Sequence, residues 1–131
     1  MAGYSGTPLT AKLGIKDGHR VAILGAPGEF GLDLPHGVTV SRRLGKAHDV
    51  ILFFTTERSR LAARLQDMTA AIRPDGSLWV AWPKKASKVP TDMTDHVVRE
   101  IALPTGVVDN KVCAIDDTWT GLRLVWRLER R

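Results

Sequence analysis

The chain has 131 residues, 44% hydrophobic and 25% charged, with 19 Lys and Arg against 14 Asp and Glu for a net charge of +5. These values fit one ordinary globular domain over residues 1–131, able to bury about two-thirds of its unfolded surface. The lone Cys113 excludes an internal disulfide, and the longest apolar run, Val50 to Phe54, is too short to cross a bilayer.

Taken in order, the first expected element is a short helix over Thr7 to Gly14. Thr7 can cap it, Pro8 suits the first helical position and Gly14 suits a left-handed stop. A strand from His19 to Leu24 runs into Gly25-Ala26-Pro27-Gly28-Glu29-Phe30-Gly31. Val38 to Val40 is a brief strand leading to Ser41-Arg42-Arg43, and Asp49 to Phe54 is a buried one rich in Val, Ile, Leu and Phe. The connection from Leu44 to His48 is too short for a helical crossover, so it is either a bare extended return or part of a hairpin.

Thr55 or Thr56 can cap a helix from Glu57 to Ile72, with Leu61, Leu65, Met68 and Ile72 inward and Arg58, Arg60 and Arg64 solvated. A Pro74-Asp75-Gly76 turn then launches an almost wholly apolar run that Pro83-Lys84-Lys85 stops, as expected for a strand inside a parallel sheet. A second helix is expected from Pro90-Thr91-Asp92 to Leu103-Pro104, with Met93, Val97 and Ile101 inward. Strands from Val107 to Ile115 and from Leu122 to Leu128 close the chain, and the short Asp116 to Gly121 joint forces them antiparallel. Strand and helix alternate through the middle, which argues for a parallel α/β sheet.

No catalytic or metal motif is complete. The histidines at 19, 36, 48 and 96 are scattered without ligand spacing. Cys113 lies in an apolar strand and reads as a structural thiol. Asp116 and Asp117 read first as solvated or capping acids, and Trp79 and Trp82 as core or rim aromatics. Gly25 to Gly31 lacks the Gly-x-Gly-x-x-Gly pattern, so Arg42 and Arg43 read as solvated rather than as holders of a 2′-phosphate. No stripe of aromatics interleaves with basic residues, and nucleic acid is not an expected partner.

The stretch Lys12-Leu13-Gly14-Ile15-Lys16-Asp17-Gly18-His19-Arg20-Val21-Ala22-Ile23-Leu24-Gly25 resembles the opening of a class I S-adenosylmethionine-dependent methyltransferase. Asp49 to Phe54, Arg73 to Pro83 and the closing hairpin resemble that fold's fourth to seventh strands. The chain as a whole is similar to a family of small uncharacterised bacterial proteins of unknown function, through segments such as Trp82-Pro83-Lys84-Lys85 and Lys111-Val112-Cys113-Ala114-Ile115-Asp116. The resemblance implies an α/β, Rossmann-like, mostly parallel methyltransferase-type sheet with a C-terminal antiparallel hairpin. It would set any cofactor against Gly25, Pro27, Gly28 and Thr55.

Three departures from the methyltransferase pattern set the functional expectation. Ile23 fills the acidic position of the first strand, Pro27 interrupts the glycine loop, and Ser41-Arg42-Arg43 stands where an acid would hold a ribose. The first crossover, Gly25 to Gly37, leaves room for barely one or two helical turns. We therefore expect no cofactor of the usual kind and a non-catalytic binding or regulatory domain. The alternatives are a methyltransferase with an altered loop and an anion- or nucleotide-binding module. Ligands of open α/β sheets bind beyond the carboxyl ends of the strands, which here are Gly25 to Gly28, Thr55-Thr56 and Pro83 to Lys85. The Asp116 to Gly121 turn belongs on the same rim, with Lys84 and Asp116 roughly 10 Å apart across two strand spacings. Lys84, Lys85, Asp116, Trp119 and Arg123 then form an expected rim for an anionic small molecule, with a protein partner or a second copy as other occupants. The lone cysteine and the N-terminus, which lacks a basic segment leading into an apolar one, lead us to expect a cytoplasmic protein.

Overall fold

Apolar side chains fill nearly every position of the central strands, so these strands need cover on both faces. In the computed structural model, which describes residues 8–28 and 30–131, they lie in the middle of one six-stranded sheet. The elements are α1 (Leu9–Lys12), β1 (Arg20–Leu24), β2 (Thr39–Ser41), β3 (His48–Phe54), α2 (Arg58–Ala70), β4 (Ile72–Pro83), α3 (Asp95–Ala102), β5 (Val107–Ala114) and β6 (Trp119–Trp126). The strand order is β2-β1-β3-β4-β6-β5, parallel from β2 to β4, with β6 antiparallel to both β4 and β5. This is the mostly parallel, Rossmann-like sheet with a C-terminal antiparallel hairpin that the sequence implies. The expected cap at Thr7 and the loop residue Glu29 lie outside the described residues.

The link from β2 to β3 is the bare return and not a hairpin. Short β2 pairs only with the start of β1, from Arg20 opposite Thr39 to Ala22 opposite Ser41. The chain therefore drops a few residues' height and steps past β1 to begin β3, which a short segment can do. In β4 the Pro-Asp-Gly segment is a bulge and not a turn preceding the strand. His48 of β3 pairs with Ile72 and Val50 with Ser77, so Arg73 to Gly76 are extruded between them. Gly76 is required there, because a Cβ would sit 2.9 Å from the Asp49 carbonyl oxygen.

Neither threonine caps α2. Thr55 Oγ1 accepts from the Glu57 amide at 3.1 Å, while the Arg58 amide donates to Asp92 Oδ1 at 2.7 Å from the loop before α3. Leu61, Leu65 and Met68 are buried in the core as expected, but Ile72 opens β4 instead of closing the helix. Helix α3 begins several residues later than expected, because Thr94 accepts from the Val97 amide at 3.1 Å and supplies the cap. Pro90 to Met93 precede it as loop, pinned by the Thr91 hydroxyl donating to the Thr56 carbonyl at 2.6 Å. The last strand starts at Trp119 and not at Leu122, and Leu128 falls beyond it, 78% exposed. The expected joint from Asp116 to Gly121 thus contracts, closed by the Ile115 and Asp116 amides donating to the Trp119 carbonyl.

The two faces of the sheet are covered differently. One carries Ala22, Leu24, Ile51, Phe53, Leu78 and Val80 under α2 and α3. The other carries Val21, Ile23, Val50, Leu52, Phe54 and Trp79, and packs against Leu9, Leu13, Ile15, the loop residues Ala26, Phe30, Leu32 and Val38, and Cys113, Ile115 and Trp119. Among the described residues, the helix on that second face is the single turn of α1. Trp79, fully buried, satisfies its indole N–H on the Leu13 carbonyl at 3.0 Å and so ties the α1 segment to the sheet. Among the described residues no helix is long and apolar enough to cross a membrane.

Candidate functional site

In open α/β sheets the strand order reverses at one point, and a crevice opens there beyond the carboxyl ends. Here the reversal lies between β1 and β3. Gly25 leaves β1 with φ +70°, and a Cβ on it would lie 2.7 Å from the Phe54 carbonyl oxygen. Only glycine lets the loop turn this close to β3. The loop then tightens, with the Phe30 amide donating to the Pro27 carbonyl at 3.0 Å. Phe30 meets Phe54 edge to face with centroids 4.9 Å apart, and Phe54 meets Trp119 in the same way at 5.1 Å. Three rings, from the loop, from the end of β3 and from the start of β6, thus close over the crevice.

Beside the rings lies a groove of about 400 Å³ lined by Pro27, Phe30, Ile115, Asp116, Asp117 and Trp119. Asp116 Oδ1 accepts from the Thr118 and Trp119 amides, each at 2.8 Å, and this aspartate turn sets Trp119 against Phe54. The exposed Asp117 makes no ion pair among the described residues. The groove therefore has an aromatic wall and carboxylates along its edge.

The residues singled out from sequence divide between this groove and other places. Pro27, Asp116 and Trp119 line it. Gly25, where the loop turns against β3, and Gly28 are both exposed and outside the lining. Thr55 is buried, its amide donating to the Ala81 carbonyl and its hydroxyl engaged with Glu57. Lys84 stands on the same rim as the turn, its amide donating to the Thr118 carbonyl at 2.8 Å, but its side chain does not line the groove. Lys85 is exposed at the start of a 3-10 turn over Lys85–Ser87. Among the described residues neither lysine forms an ion pair.

Arg123 is displaced from the expected neighbourhood. It pairs with Trp79, whereas Trp119 pairs with Pro83, so it lies four residues and about 13 Å further along the ladder. It lines a separate cavity of about 300 Å³ at the amino ends of the strands. Sequence reasoning missed the lining residue Phe30 and the second cavity as a site, and it read Asp117 first as a solvated or capping acid. A lone aromatic within a Gly- and Pro-rich loop was the available signal for Phe30.

A family model described as "Protein of unknown function (DUF3052)" matches residues 41–128, more than half of the chain. No curated protein matches it. Similar solved structures include an S-adenosylmethionine-dependent methyltransferase from Aquifex aeolicus, 15% identical, with a TM-score of 0.62 over 88% of this chain and 86% of that one. Magnesium protoporphyrin IX methyltransferase from Synechocystis PCC 6803, with bound S-adenosylhomocysteine, is 11% identical at a TM-score of 0.59, covering 85% and 75% of the two chains. The fibrillarin pre-rRNA processing protein of Methanococcus jannaschii is 12% identical at 0.58, covering 95% and 70%. At these identities the likeness is one of fold.

Proposed function

This chain belongs to the DUF3052 family of proteins of unknown function, and from that premise we propose a non-catalytic binding or regulatory domain built on a methyltransferase-like sheet. Its ligand would sit in the groove between the loop of Pro27 and Phe30 and the turn of Asp116 to Trp119. The observation that carries this reading is the edge-to-face cluster of Phe30, Phe54 and Trp119 at the carboxyl end of β3, where the strand order reverses.

Chain features around the cluster agree with it. Ile23, at the position where the fold's cofactor binders carry an acid, is buried in the core. Pro27 brings no amide hydrogen to the loop. The second strand ends in Ser41, Arg42 and Arg43, which offer no carboxylate to a ribose. These residues do not fit an adenosyl cofactor held in the usual way.

The charged groups on the groove lining are carboxylates, so it favours a ligand with a flat apolar part and a cationic or hydrogen-bond-donating head. Lys84 and Lys85 then serve the surface beside the groove, where an anionic portion of the same ligand would lie. The strands from Arg20 to Trp126 all join one sheet, which supports a single domain over the chain.

Calorimetric titration with S-adenosylmethionine and S-adenosylhomocysteine tests the reading. No saturable binding is expected at physiological cofactor concentrations. A micromolar dissociation constant would instead favour a methyltransferase with an altered loop.

A further inference from the structure

The second cavity is lined by Lys16, His19, Asp49, Asp75, Ser77 and Arg123, from four separate parts of the chain. The bulge in β4 creates it, since extruding Arg73 to Gly76 leaves a recess between the start of β3 and the turn before β1. We infer that this cavity is an anion site, distinct from the rim groove, that takes a small phosphomonoester.

Arg123 is the central observation. It is half-buried, and its hydrogen bond among the described residues is a long one, 3.4 Å to the neutral Asn110 side chain. No carboxylate pairs with it there. Burial and then the like charge of Arg131 push its pKa down, so the site disfavours the cation it holds. A half-buried guanidinium with no ion pair among the described residues is less favourable than a paired one, and a bound anion supplies the missing partner.

The neighbours supply further donors. His19 Nδ1 accepts from the Lys16 amide at 3.1 Å, which leaves Nε2 as the donating nitrogen of the neutral ring. Lys16 adds an exposed ammonium, and Ser77 a hydroxyl from β4. Of the two lining acids, Asp49 is already engaged, by the Arg20 amide at 2.8 Å and by Arg73 at 3.3 Å. Asp75 is exposed and forms no ion pair among the described residues, free to accept from a ligand hydroxyl.

Donors arriving from the β6 strand, the β4 bulge and the turn before β1 suit a tetrahedral dianion better than a planar carboxylate, which a single arginine fork satisfies. The volume of about 300 Å³ sits at the small end of ligand pockets and suits a compact phosphate ester over a polymer.

The experiment is calorimetric titration of the full chain with inorganic phosphate and with glycerol phosphate, at ionic strength held constant with chloride. Saturable binding is expected, stronger for glycerol phosphate. Lys16→Gln and Arg123→Lys should each weaken it about tenfold, the second by losing the fork while keeping the charge. Asp75→Ala should weaken glycerol phosphate more than inorganic phosphate. Arg60→Gln, on the exposed face of α2, should leave both unchanged. In amide NMR spectra the Gly76 and Ser77 resonances should shift on binding. Failure of either ligand to saturate by about 10 mM would overturn the inference, since a fit that weak amounts to less than about 3 kcal/mol. So would wild-type affinity in both Lys16→Gln and Arg123→Lys, or steeply salt-dependent binding of an RNA oligonucleotide in place of the small ligands.

Discussion

His48 opens β3 at a position only 2% exposed. Its Nε2 accepts from the Gly45 amide at 2.9 Å, so the ring proton of the neutral form sits on Nδ1, which has no partner among the described residues. Burial and then the charge of Arg20 push the His48 pKa below 6.5, with Asp49 opposing them in part. Protonation would set a second N–H against the Gly45 amide and place a charge in the sheet. The folded chain therefore binds fewer protons here than the unfolded one. The stabilisation is fully present above the unfolded value of about 6.5 and is lost as pH falls through the lower folded value. Urea midpoints should accordingly drop between about pH 7.5 and about pH 5.5, the range in which histidine titrates. His48→Gln, which keeps an acceptor for Gly45, should flatten that drop, and an equal slope in the variant would show that the pH dependence arises elsewhere.

At the scale of elements, α2 shows what periodicity can and cannot supply. The spacing of Leu61, Leu65 and Met68 fixed its buried face, and all three are at most 2% exposed. Leu65→Ala should cost about 2–5 kcal/mol in a denaturant melt, the range for a leucine cavity in a close-packed core. A loss under about 0.5 kcal/mol would mean that the helix face is not anchored on the sheet as drawn. Its ends were less legible, because the Arg58 amide is satisfied by Asp92, 34 residues away in sequence, and no local pattern records that. Likewise Pro74-Asp75-Gly76 carries the residues of a turn and of a bulge alike. The pairing with β3, a tertiary fact, decides between them. For α3, the expected start at Pro90-Thr91-Asp92 gave way to Thr94, whose hydroxyl accepts from the Val97 amide.

For the whole molecule, the short last joint gave the antiparallel hairpin, and the resemblance implied the order of the remaining strands. Connection length alone left the equally short β2 to β3 link open, because an extended return and a hairpin both fit it. The rim was legible through the same resemblance, since that topology carries the Asp116 turn to the end of β4 where Lys84 follows. Arg123 was misplaced because its nearness in sequence to that turn stood in for position along the strand. The closing of Phe30 onto Phe54 depends on how a loop without regular structure packs, which periodicity does not encode.

The unequal cover of the two faces has a dynamic consequence. Beneath α2 and α3 the sheet is sealed by buried helical side chains, whereas β1 and β3 on the other face rely largely on the loop residues Ala26, Phe30, Leu32 and Val38 and on one helical turn. Cover of that kind can peel away without dismantling β4 and β6. Native-state hydrogen exchange should then show the amides of β1 and β2 opening sub-globally, below the free energy of complete unfolding, while those of β4 and β6 exchange only through it. Equal protection in both sets would show one cooperative unit. Anything that bridges the loop to the Asp116 turn would slow the weaker set most, so occupancy of the rim groove would register in the exchange of strands it never touches.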